Sequence, residues 1–170
     1  MKKIIISVVV FFVLIMGYIV AGPYITMNAI KSDIKNKNTE GLKENIDFPV
    51  LRENLKEQMT DIVMRKMQED KELQNNPFSG LAVMMMPGII NNAIDLYVSP
   101  YGITRLSEGR KPIKDNNQTS SEIFENTKTS FESLSKFIIK VKNKEGSDIS
   151  FILTRDIVTW KLTNIELPQE

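Results

Sequence analysis

The sequence contains no cysteine and no histidine. Those absences exclude thiol nucleophiles, disulfides, Cys/His zinc sites and imidazole acid–base catalysis, and they leave no acceptor for lipoprotein-type lipidation. A dominant charge sign is missing too, with 22 Lys and Arg against 21 Asp and Glu. Lys2 and Lys3 precede the hydrophobic segment, and the remainder is neutral to slightly acidic. It therefore lacks the basic surface with which nucleic-acid binders neutralise phosphate, and no nucleic-acid partner is expected. The phosphate-binding loop G-x-x-x-x-G-K-[ST], the dinucleotide glycine fingerprint and the G-x-S-x-G elbow are all absent. The sequence thus assigns no catalytic residue, no cofactor and no metal ligand. An enzyme on this chain would rely on carboxylates, Lys, Tyr or Ser.

What is present is about one domain of ordinary globular composition: 170 residues, 42% hydrophobic and 25% charged. An unbroken apolar run opens at Ile4 and closes at Val20, and no charge follows it until Lys31. At about 1.5 Å per residue it covers about 25 Å, the short limit for a bilayer core and slightly more than a signal-peptide core. The lysine pair before it predicts a cytoplasmic N-terminus, with everything after Pro23 outside, in the periplasm of a bacterial-type envelope. Residues 1–22 are expected to form a signal anchor or signal peptide, and residues 23–170 a single extracytoplasmic domain. Ala21 and Gly22 are small enough for a processing site, but Ile19 is bulky for one and Pro23 disfavours cleavage just after Gly22. An uncleaved anchor is preferred to a cleaved signal that would release the domain into the periplasm.

Pro23 reads as the opening of a helix that continues almost directly from the apolar segment, with Ile25, Ala29, Ile30 and Ile34 as its apolar stripe, ended by the polar stretch 35–39. Gly41, Leu42 and Ile46 suggest a short helical turn. Asp47-Phe48-Pro49 then has the form of a capped helix start, followed by Leu51, Leu55, Met59, Ile62, Val63 and Met67 as a stripe reaching toward Lys71. Asp61 and Arg65 form an i,i+4 pair on another face. The cluster Gln74-Asn75-Asn76-Pro77 breaks the pattern. Residues 80–90 are apolar all round, with Met84, Met85 and Met86 in succession. Eleven residues are too few to span a bilayer, so a buried helix kinked at Pro87-Gly88 is expected, followed by a second helix ending before Ser99-Pro100. Residues 107–121 are a loop by composition, made locally basic by Arg105, Arg110, Lys111 and Lys114. Asn117-Gln118-Thr119 matches a glycosylation sequon, a weak signal in this context.

The period then changes from helical to alternating. Phe137, Ile139 and Val141 alternate with Ile138, Lys140 and Lys142; a turn at 143–147 leads to Ile149, Phe151 and Leu153. A tight connection around Arg155-Asp156 leads to Val158, Trp160 and Leu162. Three such runs make an antiparallel meander with one apolar face, which the preceding helices must cover. Ile165, Leu167 and Pro168 finish the sheet or strap its edge. The fold class expected is α+β: an N-terminal hydrophobic helix, then several helices on one face of a C-terminal antiparallel sheet of three to four strands.

Several segments carry a resemblance: Asp47-Phe48-Pro49-Val50-Leu51-Arg52, Ser99-Pro100-Tyr101-Gly102, Arg155-Asp156, Trp160-Lys161-Leu162-Thr163 and Ile165-Glu166-Leu167-Pro168. In this order and spacing, from Ala21 to Pro168, the chain resembles the bacterial domain of unknown function family 2939. One departure stands out: where a glycine would precede the strand bearing Trp160, the chain has Ile157-Val158. The resemblance implies a membrane-anchored or exported bacterial protein and brings no activity with it. Helices followed by a curved sheet are also similar to cystatin-like and nuclear-transport-factor-like cones, which often enclose an apolar pocket.

Three classes of function follow. The first is a tethered, non-catalytic binding or scaffold module acting on another envelope protein, attached to the membrane through the segment opened by Ile4 and closed by Val20. The second is a module for lipid or another apolar small molecule, in which Phe78, Leu81, Met84, Met85, Ile89, Phe151 and Trp160 line a pocket, since methionine side chains repack around varied ligands. The third, a carboxylate hydrolase, would need two acids converging in a cleft. Asp47 is better read as a helix cap, Asp61 as an ion-pair partner, Asp95 as a polar-face residue and Asp156 as a turn former. Trp160 is a core anchor before it is a ligand platform.

Overall fold

The computed structural model describes residues 2–71, 77–107, 127–142 and 147–168. The breaker at 74–76, the basic loop with Arg110, Lys111 and Lys114, the sequon at Asn117 and the turn residues 143–146 lie outside them. Among the described residues, five helices precede a four-stranded sheet: α1 Lys2–Asn36, α2 Thr39–Asn45, α3 Phe48–Glu69, α4 Ser79–Tyr97 and α5 Pro100–Ser107, then β1 Thr127–Ser133, β2 Lys136–Lys142, β3 Asp148–Asp156 and β4 Thr159–Glu166. The sheet is an antiparallel meander in the order β1-β2-β3-β4. The fold is α+β, with an apolar N-terminal helix.

α1 joins the apolar segment and the helix expected from Pro23 into one, in line with the near-direct continuation that the sequence suggests. Pro23 sits inside it rather than at a start, and removes the donor that the carbonyl of Ile19 would use. Its apolar N-terminal portion is long and apolar enough to cross a membrane, and residues 3–18 are exposed, covered by no described part of the domain. The buried stripe then runs through Gly22, Pro23, Thr26, Met27, Ile30 and Asp33. Ile25, expected to face the core, is 58% exposed instead. The shift follows from Gly22: a Cβ there would lie 2.3 Å from Cδ1 of Trp160, so the missing side chain lets the indole pack directly on the helix backbone. That contact fixes the rotation of α1 and turns residue 25 outward.

The end of α1 is held by a polar network. Asp33, buried, accepts hydrogen bonds from Nδ2 of Asn38 at 2.8 Å and Nδ2 of Asn45 at 3.2 Å. Asn38 caps α2 by accepting from the Gly41 N–H at 3.1 Å. Gly41 is required, because a Cβ would lie 2.3 Å from Oδ1 of Asp33. α3 starts as the sequence predicts: Asp47 accepts from the Val50 N–H at 3.2 Å, and Pro49 occupies the first turn. The Asp47 N–H also donates to the Leu162 carbonyl at 2.9 Å, and Ile46 forms a bridge with Leu162, joining the α2–α3 junction to β4. From there α3 follows β4 toward the C-terminus. Asn54 donates to the Thr163 carbonyl at 3.0 Å; Gln58 donates to Asn164 Oδ1 at 3.0 Å and accepts from the Leu167 N–H at 3.2 Å. Leu167 therefore straps the sheet edge onto α3, as the sequence suggests.

The core joins Leu42, Leu51, Phe137, Leu153, Trp160 and Leu162 with the inner stripe of α1. Phe137, Ile139 and Val141 face inward as the alternation predicts, opposite Leu153, Phe151 and Ile149 in register. Val158 does not join Trp160 and Leu162. β3 extends to Asp156, so the turn falls on Ile157-Val158 and leaves Val158 57% exposed. β1 carries one large apolar residue, Phe131, and shows no alternation for that reason. Arg65 donates from Nε to the Asp61 carbonyl at 3.4 Å, a backbone contact where an ion pair was expected.

Candidate functional site

α4 is the element on which expectation and structure differ most. Rather than two helices meeting at Pro87-Gly88, it is a single helix with Pro87 inside. Its inner face is narrow: Ile90 and Ile94 are buried in the core, with Met86 partly packed against it. Asp95 is more than a polar-face residue. Lys56 Nζ lies 2.6 Å from its Oδ1 and Arg52 Nε 3.9 Å from the same oxygen, tying the C-terminal part of α4 to the first half of α3. The two helices consequently run antiparallel. At Val98-Ser99 the chain turns through 82° into α5. Ser99 caps α5, donating to the Leu96 carbonyl at 3.0 Å and accepting from the Gly102 N–H at 2.9 Å. Gly102 is dictated by the close corner, since a Cβ would lie 2.4 Å from the Tyr97 carbonyl oxygen.

The outer face of α4 is apolar and open. Phe78, Leu81, Met84, Met85 and Ile89 recur at helical spacing and are 73%, 57%, 81%, 56% and 56% exposed. The expected buried helix is therefore corrected: among the described residues α3 is the only long helix beside α4, and one neighbour covers one stripe. Each of these five side chains forgoes about 1.5–3 kcal/mol that full burial contributes.

The seven residues anticipated to line a pocket are not gathered around one space. The five on α4 point outward, Phe151 is half-buried on β3, and Trp160 is in the core between α1 and the sheet. Two grooves lie elsewhere. One of about 280 Å³ runs between α1 and β1–β2 beside Tyr24, Met27, Lys31 and Thr129. Another of about 380 Å³ is polar, between Asn54, Glu57, Gln58, Asn164 and Glu166. None of the seven lines either groove. The four aspartates are equally dispersed: Asp47 caps α3, Asp95 bridges α3 and α4, Asp61 is exposed, and Asp156 ends β3. The contact sequence reasoning missed is Gly22 on Trp160; the signal available was a small residue beside Pro23 in an otherwise bulky helix.

An apolar N-terminal helix running into an α+β domain defines a protein with a candidate membrane anchor or signal sequence. A family described as Protein of unknown function (DUF2939) matches residues 12–106, more than half of the chain, and the chain belongs to that family. The match runs from within α1 into α5 and stops before the sheet, so the resemblance anticipated as far as Pro168 is carried by the helices. No curated protein and no solved structure matches the chain.

Proposed function

We propose that this chain is a non-catalytic binding module of the bacterial envelope, held by α1 as an uncleaved single-pass anchor with its domain outside the cytoplasmic membrane. The observation that carries the reading is the open apolar face of α4 at the end of the domain far from the anchor. Isolated exposed apolar residues are ordinary, whereas contiguous ones mark a surface meant to be covered. The bilayer is not what covers it. α3 leads away from the Gly22–Trp160 contact along β4, and α4 returns antiparallel, so Phe78, Leu81, Met84 and Met85 begin at the far end. A protein partner presenting its own apolar helix or groove fits this face, and flexible methionines suit such packing.

Retention of α1 has separate support. Gly22 and Pro23 are buried and Ile19 packs against the core, so the peptide bonds a signal peptidase would need lie inside the folded domain. Two lysines before the apolar run favour the outward orientation of the domain.

A photoreactive residue introduced at Met84 in growing cells tests the partner. A discrete adduct heavier than two copies of the chain, lost in Met85→Asp, is expected. An adduct of twice the chain mass would give the face to a second copy, and no adduct at all would overturn the reading.

A further inference from the structure

The other end of the domain carries apolar side chains of a different kind. The β1–β2 turn exposes Leu134 by 64%, and the β3–β4 turn exposes Ile157 by 83% and Val158 by 57%. Among the described residues nothing covers either tip, yet both lie on the side from which the anchor enters. The register locates them. Trp160 pairs with Arg155 and packs on Gly22; Phe137 pairs with Phe131 and lies 5.0 Å from the ring of Tyr24. Farther along the helix, Asn28 and Lys31 line the groove with Thr127 and Ile139. Moving along the sheet toward the two turns is therefore moving toward the N-terminus of α1. Leu134 is at the tip of the two-residue turn that follows Ser133 and precedes Lys136, about two strand rises or about 7 Å past Phe137 at about 3.3 Å per residue. Helix α1 rises about 1.5 Å per residue, so that distance corresponds to about four or five residues before Tyr24. The turn is then level with Ile19 and Val20, in the last turn of the apolar segment.

Two further observations bear on the same end. Ile157 has φ 44°, a left-handed conformation that β-branched residues rarely adopt and that glycine or asparagine takes readily. Among the described residues, nothing that Ile157 packs against offsets the cost of this conformation. Arg155 binds the two turns into one unit: its Nε donates to the Leu134 carbonyl at 3.2 Å and Nη1 to the Ile157 carbonyl at 2.7 Å, while its guanidinium lies 5.9 Å from the Trp160 ring centroid. Around it Lys136 pairs with Glu132 at 2.6 Å, Asp156 neighbours Arg155 in sequence, and Lys161 lies in the same row as Lys136 across Thr154, so the unit carries a single net positive charge.

We infer that the two turns, with Leu134, Ile157 and Val158 at their tips, are seated in the headgroup layer of the same bilayer that α1 enters. The domain is then fixed at three points, α1 and two hairpin tips, with Arg155 at headgroup depth. This rests on α1 being an anchor, as proposed above. With only one net positive charge among these residues, its insertion is chiefly apolar and does not require anionic lipid.

The absence of cysteine makes the test direct. Full-length single-cysteine variants Leu134→Cys, Ile157→Cys, Phe12→Cys and Met84→Cys are labelled with an environment-sensitive fluorophore and reconstituted into phosphatidylcholine vesicles. A fraction of the lipid carries a nitroxide on the acyl chain near the headgroup. Probes at 12, 134 and 157 are expected to lose fluorescence while the probe at 84 does not, and adding phosphatidylglycerol is expected to leave this unchanged. Quenching at 12 with none at 134 and 157 overturns the seating of the turns and leaves the anchor standing. No quenching at 12 overturns the anchor and this inference with it. Quenching at 134 and 157 only when phosphatidylglycerol is present would replace apolar seating by electrostatic adsorption and overturn the inference in that way.

Discussion

The anchor-proximal and distal ends of the domain use the same kinds of residue to opposite effect. Near the anchor, α1, α2, the start of α3 and the sheet enclose Leu42, Leu51, Phe137 and Leu153, each at or below 1% exposure. At the distal end, two antiparallel helices bury one stripe between them and leave methionines and a phenylalanine in the open. The physical difference lies in the number of layers. A sheet under three helices has its apolar face covered, whereas among the described residues the helical hairpin has no third element over its outer stripe. The closed core therefore lies at one end, and the exposed apolar helix face at the other.

The largest effect expected to expose this contrast is at Phe137. Phe137→Ala removes a fully buried ring from the centre and should cost about 3–5 kcal/mol, read as a fall in denaturant midpoint. Gly22→Ala forces a Cβ into Trp160 and should cost about 1–3 kcal/mol, although the residue directly follows the apolar segment, where a mere connector would tolerate it. Asp33→Ala leaves the amides of Asn38 and Asn45 without their shared acceptor and should cost about 1–3 kcal/mol in the same measurement. Ile157→Gly should do the reverse, raising stability in detergent by up to about 1 kcal/mol, because glycine relieves the left-handed backbone. The smallest effect belongs to the distal face. Met84→Ser should change stability by no more than about 0.5 kcal/mol, and a loss of several kcal/mol there would erase the distinction between the two ends.

The sequence was most readable where one residue's chemistry decides the local structure. Asp47-Phe48-Pro49 started a helix because an aspartate cap and an early proline have few other uses. The alternation of Phe137, Ile139 and Val141 matched β2 because one face of that strand meets the core. Legibility failed where the decision belonged to a distant neighbour. Ile25 faces outward because Gly22 lets Trp160 set the rotation of α1, a contact across more than a hundred residues. Val158 left its stripe because the turn moved two residues later, onto Ile157. Residues 80–90 read as buried because apolar composition is the usual mark of a core, and composition carries no record of how many neighbours a helix has. The structure instead leaves Leu81, Met84, Met85 and Ile89 of α4 exposed.

The continuity of α1 has a mechanical consequence. A domain on a flexible linker sweeps a hemisphere above the membrane and meets partners at a low effective concentration set by the tether. Here the apolar segment and the first turns of the domain belong to one rod, clamped by Trp160 on Gly22. The domain cannot swivel independently of that segment, and a tilt of the rod tilts the α4 face with it. Were α1 the anchor proposed above, the chain would stand as a post of fixed height, its outer helix held at one distance from the bilayer.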